Sequence, residues 1–142
     1  MLNIFRRSRD PKFDIAAIGD HWLAWPLTHD GVSGTLHVRQ LPSDLPRQEF
    51  PFVALAWMDG AETRGTDSAV FRSLKGVLEK RGSGLIVLVH ETPGRVYWYA
   101  YAASAKILDE AFASLDNEAL HWGINEDRGW PEYDNAKGLV GA

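Results

Sequence analysis

An α+β fold built on one sheet is what this sequence predicts, and three observations predict it. From Phe50 onward the apolar residues switch between strand and helix periods in the order strand, helix, strand, strand, helix, strand. A strand pair around an Asp-Gly turn precedes that unit. The chain has 142 residues, 45% of them hydrophobic and 24% charged, which fits one soluble globular domain with a full core.

Residues 1–14 are polar and basic and read as a flexible lead-in, residues 1–12 carrying Arg6, Arg7, Arg9 and Lys12 against Asp10. No long apolar stretch follows them, so they are not read as a secretory signal. A hairpin is expected over residues 19–40. His21–Leu27 is its first strand and Thr28–Gly31 its turn. In the return strand, Gly34–Gln40, Leu36 and Val38 face one way and His37 and Arg39 the other. The segment 41–48 holds two prolines and no periodicity, so it is a surface connection.

Residues 50–126 form the main unit. Phe50–Met58 is apolar on both faces, as a central strand is. A loop from Asp59 ends at a cap, Thr66 or Asp67, and a helix is predicted over Asp67–Arg81. Its apolar stripe is Val70, Phe71, Leu74, Val77 and Leu78, with Arg72, Lys75, Glu79 and Lys80 off it. Gly82 and Gly84 stop the helix. Gly84–Glu91 and Arg95–Ala102 flank a Thr92-Pro93-Gly94 turn. A second helix, Ser104–Leu115, has Ser104 as cap and Ile107, Leu108, Ala111, Phe112 and Leu115 inward. The last strand, Ala119–Asn125, alternates Leu120, Trp122 and Ile124 against His121, Gly123 and Asn125. This βαββαβ order is ferredoxin-like. Right-handed crossovers are expected to put both helices on one face. The unit's two outer strands are expected at the centre of the sheet. The hairpin either extends an edge or folds over the open face.

Composition removes several chemistries. The chain has no Cys, which excludes disulfides, thiolate catalysis and Cys-held metals and fits a cytoplasmic location. None of the histidines (His21, His29, His37, His90, His121) forms an HxH or HxxxH pair. The eight-residue spacing of the first three brings His21 and His37 together only if the hairpin register allows it. No metal or cofactor is expected. There is no GxSxG nucleophile motif. Arg81–Gly84 follows a helix, the wrong order for a phosphate cradle, while Asp59–Thr66 has the right order but neither GxGxxG nor a P-loop Lys. No apolar run reaches membrane-spanning length, so no membrane partner is expected.

Net charge is −4, and Asp109, Glu110, Asp116, Glu118, Glu126, Asp127, Glu132 and Asp134 crowd residues 109–137 against Arg128 and Lys137. That balance disfavours nucleic acid and favours a cationic protein partner, or serves solubility alone. Tyr97, Tyr99 and Tyr101 share one face of an inner strand, with His121 expected nearby. Such a platform stacks bases in RNA-recognition modules. Here the acidic balance points instead to a protein interface, or to a face covered by the hairpin through Trp22, Trp25 and Leu36. A rival site is an acid/base pair at the strand ends, from His90, Glu91 and Asp59.

Residues 127–142 form a tail in which Asp127, Trp130 and Tyr133 read D-x-x-W-x-x-Y. One helical turn would bring Trp130 and Tyr133 to the same side, as a clamp onto the sheet or a helix, with Asp127 as its cap. Together with the aromatic strand Arg95–Tyr101, the tail resembles that of a bacterial domain family of unknown function, and the motif is similar to that of the regulator of ribonuclease activity B family. Gly129 and Pro131 depart from the more helical tail of the regulator. The resemblance implies a ferredoxin-like, non-enzymatic protein that acts by binding another protein. The expected binding residues are Tyr97, Tyr99, Tyr101, His121, Asp127, Trp130 and Tyr133. The expected partner is a protein or a second copy of the chain. The rival expectation is a small-molecule binder or enzyme around His90, Glu91 and Asp59.

Overall fold

The structure, a computed structural model, describes residues 13–60, 66 and 68–139. Most of the lead-in, residues 61–65, Asp67 and residues 140–142 lie outside that description. Six strands are formed: β1 (Trp22–His29), β2 (Val32–Arg39), β3 (Phe52–Asp59), β4 (Gly84–Thr92), β5 (Arg95–Ala102) and β6 (Leu120–Glu126). Among the described residues three α-helices accompany them, α1 (Ala69–Glu79) and α2 (Ala105–Ser114) between strands and α3 (Pro131–Leu139) after β6. The strands make one sheet in the order β1-β2-β4-β5-β3-β6, and every neighbouring pair is antiparallel.

Local chemistry accounts for the element ends. Asp30 and Gly31, both at positive φ (52° and 77°), close the β1–β2 hairpin as a two-residue turn. Ser68, not Thr66, caps α1, accepting the Phe71 N–H at 3.0 Å, and Asp67 lies outside the described residues. Ser104 caps α2 through the Ile107 N–H at 3.2 Å, as its sequence position predicts. Gly82, at φ 69°, ends the α1 segment with its N–H on the Glu79 carbonyl.

The hairpin extends the sheet edge beside β4. Gly34 permits this, because a Cβ there would stand 2.2 Å from the Glu91 carbonyl oxygen. Of the two strands expected at the centre, only β3 is interior. The α2 crossover passes over β3 and sets β6 outside it, as an edge.

The sheet has a core on each face. On one side α1 and α2 pack over Ala54, Ala56, Ile86, Val89, Val96, Trp98 and Ala100. Their buried residues, Phe71, Leu74, Leu78, Leu108, Ala111 and Phe112, come from the stripes the sequence marks. Glu79 is the exception. It lies off the apolar stripe yet is buried, its carboxylate accepting from Arg39 Nη1 at 2.6 Å and from the Ile86 N–H at 2.9 Å. Arg39 is fully buried as well, so the two side chains satisfy charges that neither can expose.

The second core lies on the other face. Ile15, Ile18, Leu45, Phe50, Trp130, Tyr133 and Ala136 cover Val38, Val53, Leu85, Val87 and Tyr101. The two crossover helices share one face, as expected, while the tail helix α3 packs on the opposite one. The expected single turn of the tail is a nine-residue helix beginning at Pro131, whose missing N–H costs nothing at a first helical position.

Candidate functional site

The face opposite α1 and α2 is divided in two, and the division follows from side-chain parity on the strands. Tyr97, Tyr99 and Tyr101 point to this face from β5, as alternation requires. Their surroundings differ. Tyr101 is fully buried, whereas Tyr97 and Tyr99 are partly exposed.

The tail motif makes the covered half. The Trp130 ring stacks on Tyr101 with centroids 4.1 Å apart and 14° between planes, and its Nε1–H donates to the Phe50 carbonyl at 2.8 Å. Tyr101 donates its hydroxyl to Asp127 Oδ2 at 2.5 Å, and the Glu132 N–H reaches the same oxygen at 3.3 Å. Tyr133 donates to the Arg39 carbonyl at 2.7 Å. The Arg47 guanidinium lies over the rings of Trp130 and Tyr133, 5.3 Å from each centroid, and pairs with Asp134 at 2.9 Å. Burial, reinforced by the Asp127 carboxylate, pushes the Tyr101 hydroxyl well above its ordinary pKa. Thus Tyr101, Trp130 and Tyr133 lie in the core and Asp127 ties the tail to the sheet. The hairpin does not cover the tyrosines: Trp22 packs edge-on against Phe71 on the other face, and Trp25 is 48% exposed.

The open half holds a row of side chains running across all six strands. Register pairs Trp25 with Leu36, Leu36 with His90, His90 with Tyr97, Tyr97 with Trp57, and Trp57 with His121. Paired residues share a face, so five aromatic or imidazole rings and one leucine form a line. His90 stacks on Tyr97 (5.8 Å, 25°) and His121 on Trp57 (5.6 Å, 26°). His121 therefore reaches Tyr97 through Trp57 rather than directly. Tyr99 and Leu55 form the next row toward the tail. Burial, with the charges of Glu132 and Tyr97, raises the Tyr99 pKa.

Beside this row runs a cleft of about 670 Å³, lined by Leu27, Val32, Leu55, Asp59, His90, Arg95, Tyr97 and Tyr99 among others. Asp59 and Arg95 close one end as a paired carboxylate and guanidinium, at 2.6 and 3.4 Å, with Arg95 5.8 Å from the Tyr97 centroid. The Arg95 hydrogen bond holds the Asp59 carboxyl below the usual carboxylate range. That is the reverse of what a general base needs. Asp59 and His90 thus share the cleft, but Glu91 does not join them. It lies toward the other face, where His37 Nε2 meets its Oε1 at 2.6 Å.

Two components escaped sequence reasoning: Trp57 and Arg95. The parity of β3 carries the signal for Trp57, since Val53, Leu55 and Trp57 alternate with Ala54 and Ala56. The paired histidines the spacing suggested do not form either: the register sets Ala24 opposite His37, while His21 lies beyond the strand, its carbonyl accepting from the Gln40 N–H. Among the described residues no three His, Asp or Glu side chains cluster as metal ligands, and no helix is long and apolar enough to cross a membrane. Compared with known proteins, the chain matches no family model, no curated protein and no solved structure.

Proposed function

We propose that this chain is a non-catalytic protein-binding module of regulatory type, cytoplasmic and bacterial, that grips a partner protein with the open half of its sheet face. The observation that carries this reading is the ring row Trp25–Leu36–His90–Tyr97–Trp57–His121. Half-exposed tyrosine and tryptophan offer large apolar area with few rotamers to freeze, which is how interface anchors are built. The D-x-x-W-x-x-Y tail has a structural task in this reading: it seals one half of the face and leaves the other for the partner. The four strands β4-β5-β3-β6 with α1 and α2 on one side support a ferredoxin-like unit that the hairpin extends. The relation to the regulator of ribonuclease activity B family belongs to the same proposal, and the tail clamp supports it.

The test is affinity capture from the native cell with the full chain as bait. Tyr97→Ala combined with Trp57→Ala is expected to cut recovery of the wild-type partner at least tenfold while the urea midpoint still reports a folded domain. Equal recovery by a folded double variant refutes the reading. The cleft supports a second reading, a small-molecule binder, because its volume suits such a ligand. The reading ranks second because Asp59 is engaged by Arg95 and Glu91 lies elsewhere.

A further inference from the structure

We infer that β6 is a strand-addition edge for a second copy of this chain, pairing antiparallel about Gly123 so that two sheets become one. This edge shares His121 with the ring row, but its pairing runs through the β6 backbone rather than across the open face.

The two edges of the sheet are built differently. β1 carries Pro26 within the strand, which lacks an N–H and breaks any ladder added outside it. β6 reads Leu-His-Trp-Gly-Ile-Asn-Glu, with no proline and no lysine, the usual guards of an edge. Among the described residues it pairs with β3 only. Trp122 and Ile124 are half-exposed there although their faces belong to the core under α2.

The sequence of β6 is also compatible with itself. Gly123 is the midpoint of Leu120–Glu126, so a twofold axis through it sets Trp122 against Ile124 of the second copy and His121 against Asn125. Leu120 then meets Glu126. No two like charges face each other in this register, and the apolar pair falls on the α2 side, where Trp122 stacks on Phe112 and both residues are only partly buried. A Cβ added at Gly123 would meet nothing within 4 Å, so the axis position is uncrowded.

The test is solution mass by light scattering across a micromolar concentration series, with full-length protein. Wild type is expected to pass from monomer to dimer. His121→Lys with Asn125→Lys places lysine opposite lysine twice in the dimer and should weaken it about tenfold. Both sites are exposed, so the monomer is expected to keep its fold. His121→Lys with Asn125→Glu places lysine opposite glutamate and should restore or tighten the dimer. Ala24→Glu, exposed on the other edge and outside the ring row, should leave the mass unchanged. A wild type that stays monomeric overturns the inference. So does a dimer indifferent to the lysine pair, a charge swap that fails to restore it, or a dimer lost in Ala24→Glu.

Discussion

Replacing Trp130 tests how far the tail motif holds the sheet face. The residue is fully buried, stacked 4.1 Å from Tyr101 and hydrogen-bonded to the Phe50 carbonyl at 2.8 Å. Removing a buried aromatic ring to alanine costs about 3–5 kcal/mol. A substantial part of a typical domain's net stability is of that size. The backbone adds a second, separable effect. Trp130 sits at φ 65°, in the left-handed region, where a residue with a Cβ is strained by roughly 1–2 kcal/mol and glycine is not. Trp130→Gly loses the same ring but relieves that strain, so it should be less damaging than Trp130→Ala by about 1 kcal/mol. Trp130→Phe keeps a stacking ring and loses only the indole donor, a cost of about 1–2 kcal/mol. The expected order of stability is wild type, Phe, Gly, Ala. Urea unfolding followed by far-ultraviolet circular dichroism, with m held constant, gives that order directly. An alanine variant within about 1 kcal/mol of wild type refutes the clamp, and a glycine variant worse than alanine refutes the strain argument.

Other consequences are equally concrete. Glu79→Ala leaves the buried Arg39 with only the Asp20 carboxylate, 3.6 Å from its Nη2, and should cost up to about 3–5 kcal/mol in the same unfolding assay, whereas Trp25→Ala, at an exposed site, should stay within about 0.5 kcal/mol. Stability should also fall at alkaline pH. The folded protein holds the Tyr101 proton well above the ordinary value of 10.0, chiefly through burial and then through Asp127. The unfolded chain releases that proton near pH 10, so the contribution is complete below that pH and is lost as pH rises beyond it. Tyr101→Phe should flatten the decline in the urea midpoint above pH 10, and an unchanged slope counts against the assignment. Asp127→Ala removes the acceptor of the Tyr101 hydroxyl and of the Glu132 N–H. It should destabilise by about 1–3 kcal/mol and speed amide exchange in α3 before the rest of the domain.

The strand and helix order was legible because periodicity is a local property. The α2 cap, the inward stripes of α1 and α2, and the facing of Leu36 and Val38 against Arg39 all follow from near neighbours along the chain. What the sequence left open was decided by long-range pairing. The expectation that β6 would be central failed because the α2 crossover lands outside β3, which no local pattern reveals. The hairpin's position turned on the close approach that Gly34 allows to the Glu91 carbonyl. Glu79 reads as a solvent-facing helix residue until Arg39, far away in the chain, is brought beside it. The same holds for the tyrosines. Alternation put all three on one face, but nothing local says that Trp130 covers Tyr101 while Tyr97 stays open. Trp57 was missed for a related reason, since its importance appears only when β3 lies between β5 and β6.

Hydroxyl-radical footprinting of the free protein and of its captured complex tests the division of the sheet face most directly. In the free protein Trp57, Tyr97 and His121 should oxidise readily, while Tyr101, Trp130 and Tyr133 stay protected. On complex formation the first three should become protected and the outer surfaces of α1 and α2 should not change. Undiminished oxidation of Trp57 and Tyr97 in the complex would contradict the account.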